Sequence, residues 1–387
     1  VDLHSGQTVA IHGAMNPQIA YGEDVMSRIS YAMINGVDQL RDCLLNTLNQ
    51  IIQDLTGNPE CVVDVTIVGN TAMHHLFIGL PVKQLGRAPY MPAIVESLDV
   101  KARELGLNVA QGAYIHFLPN IAGFIGADHV AMLLATEIYK TSKNTIGIDI
   151  GTNTEVALSV NGDITSLSCA SGPAFEGGRI KHGMRASSGA IEKVNIKNNK
   201  IDFKVIGNVP PIGICGSGIL DTISQLRQQT IIDQRGRLQD HNLVNKMKTG
   251  REVILASKNI TGIKKDIVVT QHDISEIQLA KAAIRAGINI LLKECGINED
   301  QIENVVIAGA FGTRINVESA INIGMFPFIP SNLFTQVGNA AGIGAKLALI
   351  SKAHRSIARS VASKVKYIEL TTHPEFTHEF SHALQFP

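Results

Sequence analysis

Cysteine is scarce in this chain of 387 residues, and its spacing suits no cross-linked or metal-bound framework. The five cysteines are Cys43, Cys61, Cys169, Cys215 and Cys295, an odd number with no CxxC pair. That excludes a disulfide scaffold and the usual zinc and iron–sulfur ligand sets, and it fits a reducing, cytoplasmic setting. An excess of charge of one sign is also lacking: 34 Lys and Arg offset 34 Asp and Glu, for a formal net charge of zero. A general nucleic-acid binder would show a basic excess. No apolar run is long enough for a membrane-spanning helix. The first residues, VDLHSGQ, lack the basic region of a signal peptide. Low-complexity tracts and long Gly/Ser or Pro linkers are missing as well, and tryptophan is absent. Glycine, by contrast, is plentiful at 35 residues, which predicts many tight turns and close backbone approaches. With 45% hydrophobic and 18% charged residues, the composition is that of a packed globular enzyme. Its length suits about two or three domains.

The chain repeats itself. Val63 to Leu80 (VDVTIVGNTAMHHLFIGL) and Glu303 to Gly324 (ENVVIAGAFGTRINVESAINIG) each read as a β-branched strand, a glycine loop and a helix. Leu118 to Ala135 and Val337 to Ile350 both carry N-x-A-G, then G-A, then an apolar helix, in the same order within each half. Apolar spacing predicts amphipathic helices over Tyr21–Asp54 and Ile274–Cys295 ahead of the repeated strands. Asp273 is expected to cap the second of these, with Glu276 completing a capping box. The second half opens as strand, turn, strand over Thr145 to Ala170, with a turn at Asn161-Gly162-Asp163. The first half opens at a matching turn, Ser5-Gly6-Gln7, so its first strand is expected to be missing from this sequence. These features divide the chain into a first half, residues 1–142, and a second half, residues 143–387. The second half carries an insertion at about 171–270, with a strand pair turning at Asn198-Asn199.

The strongest chemical signal is the hairpin Ile146 to Leu158, IGIDIGTNTEVAL. A glycine turn offers backbone N–H groups to an anion because no Cβ blocks the approach. Thr152 and Thr154 add hydroxyl donors, and Asp149 can hold Mg²⁺ through water. The small-residue turn of VVIAGAFG, Val305 to Gly312, lets backbone lie against a flat ligand beside a helix N-terminus. GICGSGIL, Gly213 to Leu220, places three glycines and Ser217 at a helix start, with Cys215 read as a small packed residue. The glycine-rich stretch Gly172 to Val194 bears Glu176, Arg179, Lys181, His182 and Arg185 and reads as a mobile charged loop. Glu23, Asp24 and Arg28 sit at a helix start, where the dipole accounts for the acids. His74 and His75 read as packing groups.

The duplicated α/β pattern, the DxGT hairpin and the AGAFG turn resemble the actin-like ATPase superfamily. The ordered set NPQIAYGEDVMSRI, VGNTAMHHLF, LPNIAGFIGAD, IDIGTNTEVAL, SGPAFEGGRIKHGMRASSGAI, GICGSGILD and AGAFGTRINVESAINIGMFP closely resembles the C-terminal ATPase portion of the reductive activators of corrinoid proteins. That resemblance implies an α/β fold of two duplicated RNase-H-like halves with a nucleotide cleft between them. It implies ATP-dependent return of inactive Co(II) to Co(I) in a corrinoid (cobalamin-binding) protein of a methyltransferase or O-demethylase system. The electron would come from a donor through a 2Fe–2S domain lying N-terminal to this chain, and family members are homodimers. By motif, Asp149, Gly151, Thr152, Asn153 and Thr154 would hold phosphate and Mg²⁺, with Asp149 the metal residue. Gly309, Ala310 and Gly312 would border the adenosine. Gly216, Ser217 and Gly218 would lie near the nucleotide, and Glu155 is a candidate for positioning water. No general base is identified.

Three other readings use the same motifs. A small-molecule kinase of this fold would need an acceptor pocket, and no sugar- or acetate-type signature is found. An ATP-dependent activator of a 2-hydroxyacyl-CoA dehydratase would need a cluster shared between subunits, for which only Cys215 stands in a suitable turn. A nucleotide-gated scaffold, chaperone-like or actin-like, is the non-catalytic alternative.

Overall fold

The computed structural model describes every residue except Thr249 and Ala310. The chain divides into two compact units, Val1–Lys140 with Asn339–Tyr367, and Thr141–Gly338 with Ile368–Pro387.

The first unit begins with a turn in which Asp2 N–H donates to the Gln7 carbonyl at 2.9 Å. Its first long helix differs from the expected Tyr21–Asp54: two helices form, α1 (Val25–Asn35) and α2 (Asp38–Thr56). The break falls at Gly36, whose φ of 83° ends the helical path. Asp24 caps α1 by accepting from Ser27 N–H at 2.7 Å, so structure alone explains that acid. Three strands follow, β1 (Asp64–Ile67), β2 (Leu98–Lys101) and β3 (Tyr114–Phe117), ordered β1-β3-β2 with β1 and β3 parallel. After β1 comes α3 (Thr71–Ile78), capped by Asn70, and after β3 comes α4 (Ala127–Thr136). His75 is buried in α3 as a packing group. Its Nδ1 bonds the Thr71 carbonyl at 2.8 Å, and its Nε2 accepts from Ala93 N–H at 3.0 Å.

The second unit opens with β4 (Thr145–Ile150), β5 (Thr154–Val160) and β6 (Asp163–Cys169), an antiparallel meander. Asn161 and Gly162 both take positive φ at the expected turn. Next comes β7 (Ala190–Lys197), which pairs with β8 (Lys200–Val205) through the Asn198-Asn199 turn, and β9 (Gly213–Ile214) adds to β7 in parallel. α5 (Gly216–Gln228) leaves directly from β9. A small antiparallel sheet follows, β10 (Val244–Met247), β11 (Gly250–Ala256) and β12 (Ile267–Thr270).

The long helix α6 (Gln271–Glu294) then crosses the meander. Its cap is Thr270, not Asp273: Asp273 is the third helical residue and completes a capping box with Thr270. The helix starts three residues early because the Thr270 hydroxyl accepts from Asp273 N–H while the Asp273 carboxylate accepts from Thr270 N–H at 2.8 Å. At Gly287 the absent Cβ lets α6 settle onto Cys169 and Leu167 of β6. The parallel strands β13 (Asn304–Ala308) and β14 (Phe334–Gly338) complete this unit's main sheet, with α7 (Val317–Asn322) between them. The order is β14-β13-β4-β5-β6, with β4 buried at its centre. Apolar Ile146, Ile148, Val305 and Ile307 on the central strands anchor the core.

The segment after β14 returns to the first unit as α8 (Ala340–Ile350) and α9 (Lys352–Lys364). The physical reason is the small-residue face of α8: a Cβ at Gly344 would overlap the carbonyl of Ala131 on α4, so only glycine permits this approach. The two helices read from sequence as repeats of one another therefore pack together, around Val130, Ala131, Leu134 and Ala348. Arg355 of α9 bonds Asp64 at 2.7 Å and holds the helix against β1. The chain ends in the second unit with α10 (Phe376–Ala383) on α6, where Lys293 bridges Glu375 and Glu379.

Candidate functional site

Three backbone turns of the second unit meet at one cavity of 590 Å³. The first turn joins β4 to β5. Asp149 and Glu155 are register partners across this hairpin, and Asp149, Ile150 and Gly151 reach the cavity. Asp149 sits where β4 ends, because Ile148 and Ile150 on either side point into the core. The tip is tied from outside by a buried contact between the hydroxyls of Thr154 and Ser171 at 2.8 Å.

The second turn leads into α5. Gly216 and Ser217 line the cavity at the helix N-terminus. The N-cap position is Cys215, whose side chain does not cap the helix, so the first N–H groups of α5 are left for a partner in the cavity. Cys215 itself is buried, with its thiol against the Ile191 carbonyl at 3.3 Å and Ser217 Oγ at 3.4 Å. It is a packed residue, as its sequence setting suggests. Gly216 is under tight demand: a Cβ there would overlap the Phe175 carbonyl oxygen and stand 2.7 Å from the Phe311 ring.

The third turn follows β13. Gly309 has φ 90°, and a Cβ on it would lie 2.7 Å from the Ile150 carbonyl and 2.8 Å from Asp149 Oδ1. Backbone alone therefore forms the wall beside the acid. Phe311 stacks on Phe175, with ring centroids 5.0 Å apart and planes 15° from parallel.

Of the residues expected at the site, Asp149, Gly151, Gly216, Ser217 and Gly309 are brought together in the cavity wall. Others are placed differently. The Thr152 hydroxyl donates to Glu176 at 2.6 Å, and Thr154 is buried against Ser171 and does not line the cavity. Asn153 is in the hairpin tip, where its carbonyl accepts from Gly151 N–H at 3.2 Å. Glu155 accepts from Ser168 Oγ at 3.1 Å, on the sheet side of the hairpin. Gly218 lies one step deeper in α5, where a Cβ would overlap the Ile191 carbonyl, and Gly312 packs on the Ala308 carbonyl. Ala310 lies outside the described residues.

Several lining residues escaped the motif reading. Phe175 and Phe311 read in sequence only as apolar spacers between glycines, and Arg314 lies beyond the glycine turn. Arg185 and Glu176 were visible only as charges in a loop. That loop makes contacts at several points. Gly177 packs on the backbone of Met184, Met184 N–H donates to the Ile214 carbonyl at 2.9 Å, and Lys181 bridges Glu252 at 3.1 Å. The cavity thus carries two acids, Asp149 and Glu176, and two guanidinium groups, Arg185 and Arg314, the latter 3.6 Å from Glu192.

Glycine walls that exclude a Cβ, an open helix N-terminus, an aromatic pair and two cations together fit a phosphate-bearing ligand with a flat group. A carboxylate beside the phosphate position fits Mg²⁺, which binds through one or two acids plus phosphate and water. The cysteines do not fit an iron–sulfur cluster. Among the described residues no group of three or more His, Cys, Asp or Glu side chains is placed to hold a metal ion. No helix among the described residues is long and apolar enough to cross a membrane.

Known proteins resemble this chain over nearly its whole length. The corrinoid activation enzyme RamQ of Eubacterium limosum is 36% identical over 397 residues, spanning 98% of this chain and 66% of RamQ. The [Co(II) methylated amine-specific corrinoid protein] reductase of Methanosarcina barkeri is 24% identical over 396 residues, spanning 94% of this chain and 70% of the reductase. The solved structure of a reductive activator for corrinoid,iron-sulfur protein superposes with a TM-score of 0.91 at 37% identity, over 100% of this chain and 63% of that one. The chain therefore spans just under two thirds of the length of RamQ and of the solved activator. Residues 1–141 match the RACo middle region, and residues 143–387 match the C-terminal domain of RACo, the ASKHA domain, so the chain belongs to the RACo family and has its α/β, actin-like ATPase fold.

Proposed function

We propose that this chain is the ATPase portion of a reductive activator of a corrinoid protein, with ATP and Mg²⁺ bound in the cavity of the second unit. The observation that carries this reading is the convergence of Asp149, Gly216 and Gly309 on one glycine-walled cavity in a chain of the RACo family. The partner would be a corrinoid protein of a methyltransferase system held as inactive Co(II), and the product would be Co(I). The setting would be cytoplasmic and the active form a homodimer.

The roles of the side chains follow from their placement. The N-terminus of α5 would give N–H groups to phosphate oxygens, Gly151 would let them approach the hairpin closely, and Arg185 and Arg314 would neutralise their charge. Asp149 would hold Mg²⁺ through its water shell. The turn at Gly309 and the face of Phe311 would border the base and sugar. Bound ATP supplies the free energy for an uphill electron transfer. For a one-electron step each 59 mV of gap is a tenfold penalty, about 1.4 kcal/mol. The protein can offset several such steps only if its two nucleotide states bind the partner's two redox states differently. The electron would enter from a 2Fe–2S domain outside these residues, since the cysteines here do not fit a cluster. Mixing a form of the protein that joins this chain to the 2Fe–2S domain with a Co(II) corrinoid protein and titanium(III) citrate, with and without MgATP, tests the reading through the Co(I) absorption band. ATP-dependent Co(I) is expected. ATP binding without Co(I), across several corrinoid proteins, would refute it.

A further inference from the structure

The cavity holds an acid to which the roles above assign nothing. Three carboxylates lie on or beside the β4–β5 hairpin: Asp149, Glu155 and Glu176. Asp149 stands at the end of β4 with Oδ1 toward Gly309, where metal binding would use it. Glu155 does not line the cavity and accepts from Ser168 at 3.1 Å. Glu176 does line it, and its Oε1 accepts the Thr152 hydroxyl proton at 2.6 Å.

We propose that Glu176 is the general base that orients and deprotonates the attacking water in nucleotide hydrolysis, with Thr152 as its strut. The inference rests on the nucleotide reading of this cavity. A carboxylate has about four lone-pair sites, and the Thr152 bond occupies one. The remainder are free to accept from a water whose oxygen faces the terminal phosphate. Because Thr152 follows Gly151 in the hairpin tip, this bond sets the acid in register with the glycine that lines the cavity.

The backbone of Glu176 is fixed from both sides. The carbonyl of Phe175 lies where a Cβ of Gly216 would be, and a Cβ on Gly177, whose φ is 85°, would stand 2.5 Å from the Met184 nitrogen. The acid is thus carried on a rigid turn at Pro173–Glu176, which general-base geometry requires. In the step, the water oxygen bonds to the terminal phosphorus and the bond from that phosphorus to the bridging oxygen breaks. The electron pair leaves with the nucleoside diphosphate, and the water proton passes to Glu176 and then to solvent. Arg185 and Arg314, in the same cavity, would stabilise the charge on the departing phosphate.

The test uses the full chain with MgATP, MgADP and a non-hydrolysable ATP analogue. Glu176→Gln is expected to bind the analogue and MgADP as the unaltered protein does, by calorimetry, while single-turnover hydrolysis falls about 10²- to 10⁴-fold. Glu176→Ala is expected to regain part of the rate when formate is added, because the small carboxylate can enter the vacated place. Wild-type hydrolysis by Glu176→Gln would overturn the inference, and so would loss of analogue binding in that variant, which would make Glu176 a binding residue. Failure of the unaltered chain to bind any nucleotide would instead refute the reading on which the inference stands. Should Glu176→Gln not fold, Glu176→Asp keeps the charge and shortens the reach: retained binding with slowed hydrolysis supports the base, and an unchanged rate refutes it.

Discussion

Gly216→Ala separates a cavity role from a packing role when it is set beside Gly218→Ala. Both glycines lie in the first turn of α5, and at both a Cβ would overlap a backbone carbonyl: that of Phe175 for Gly216, that of Ile191 for Gly218. Overpacking of this kind costs about 1–3 kcal/mol, against a gain of up to about 1 kcal/mol from replacing glycine in a helix. The two variants should therefore lose similar, modest stability in urea. Ligand binding should differ. Relieving the Gly216 overlap means moving the helix end or the Phe175–Phe311 pair, both of which are cavity wall, whereas Gly218 does not line the cavity. Losing one hydrogen bond from α5 to a charged phosphate oxygen costs about 1.5–3 kcal/mol. That corresponds to a rise of about 10- to 150-fold in Kd. Calorimetry with MgADP should show this rise for Gly216→Ala and a much smaller one for Gly218→Ala. Equal weakening, or unchanged affinity in Gly216→Ala, would refute the placement of phosphate at this helix end.

Asp149→Ala should abolish the Mg²⁺ dependence of nucleotide binding while the thermal melt stays close to wild type; Mg²⁺-dependent binding in that variant would remove Asp149 from the metal role. Gly344→Val should destabilise the first unit by about 1–3 kcal/mol, because α8 must back away from the Ala131 carbonyl, and urea denaturation measures it. The first unit should also be acid-sensitive. Burial lowers His74 to about 4 and His129 to about 3, so both favour the neutral ring in the fold. Their contribution is present above the ordinary value of 6.5 and is lost as pH falls from there toward about 3. Each pH unit between the folded and the ordinary value corresponds to about 1.36 kcal/mol. Asp128, raised to about 6 by burial, works in the opposite sense by taking up a proton in the fold. His129→Leu should blunt the loss of melting temperature between about pH 6.5 and 4.5; an unchanged acid slope would refute this cause.

The strands, the turns at Asn161-Gly162 and Asn198-Asn199, and the glycine motifs were legible in the sequence because each rests on local chemistry: period-two alternation, positive φ, missing Cβ atoms. The break at Gly36 and the early start of α6 were harder to read. A glycine inside an apolar period can be tolerated or can end a helix, and the Thr270–Asp273 box competes with an equally plausible Asp273–Glu276 one. The return of 339–367 to the first unit depends on a contact between residues more than 200 positions apart, Gly344 and Ala131, which no local pattern encodes. The cavity shows the same division. Its glycines announce themselves, but Phe175, Arg185, Phe311 and Arg314 are recruited by the fold from separate loops. Thr152 looked like a phosphate donor from its position in DxGT; the structure gives its proton to Glu176, a residue found 24 positions later.

The account joins one cavity to one reaction, so the most direct test measures both in a single cuvette. A Co(II) corrinoid protein and titanium(III) citrate are mixed with the unaltered chain or with Asp149→Ala, each joined to the 2Fe–2S domain and each with and without MgATP, and the Co(I) band is followed. The account predicts ATP-dependent Co(I) with the unaltered chain and none above the ATP-free level with Asp149→Ala. Equal ATP-dependent Co(I) from both proteins would contradict it, because the reaction would then run without the site described.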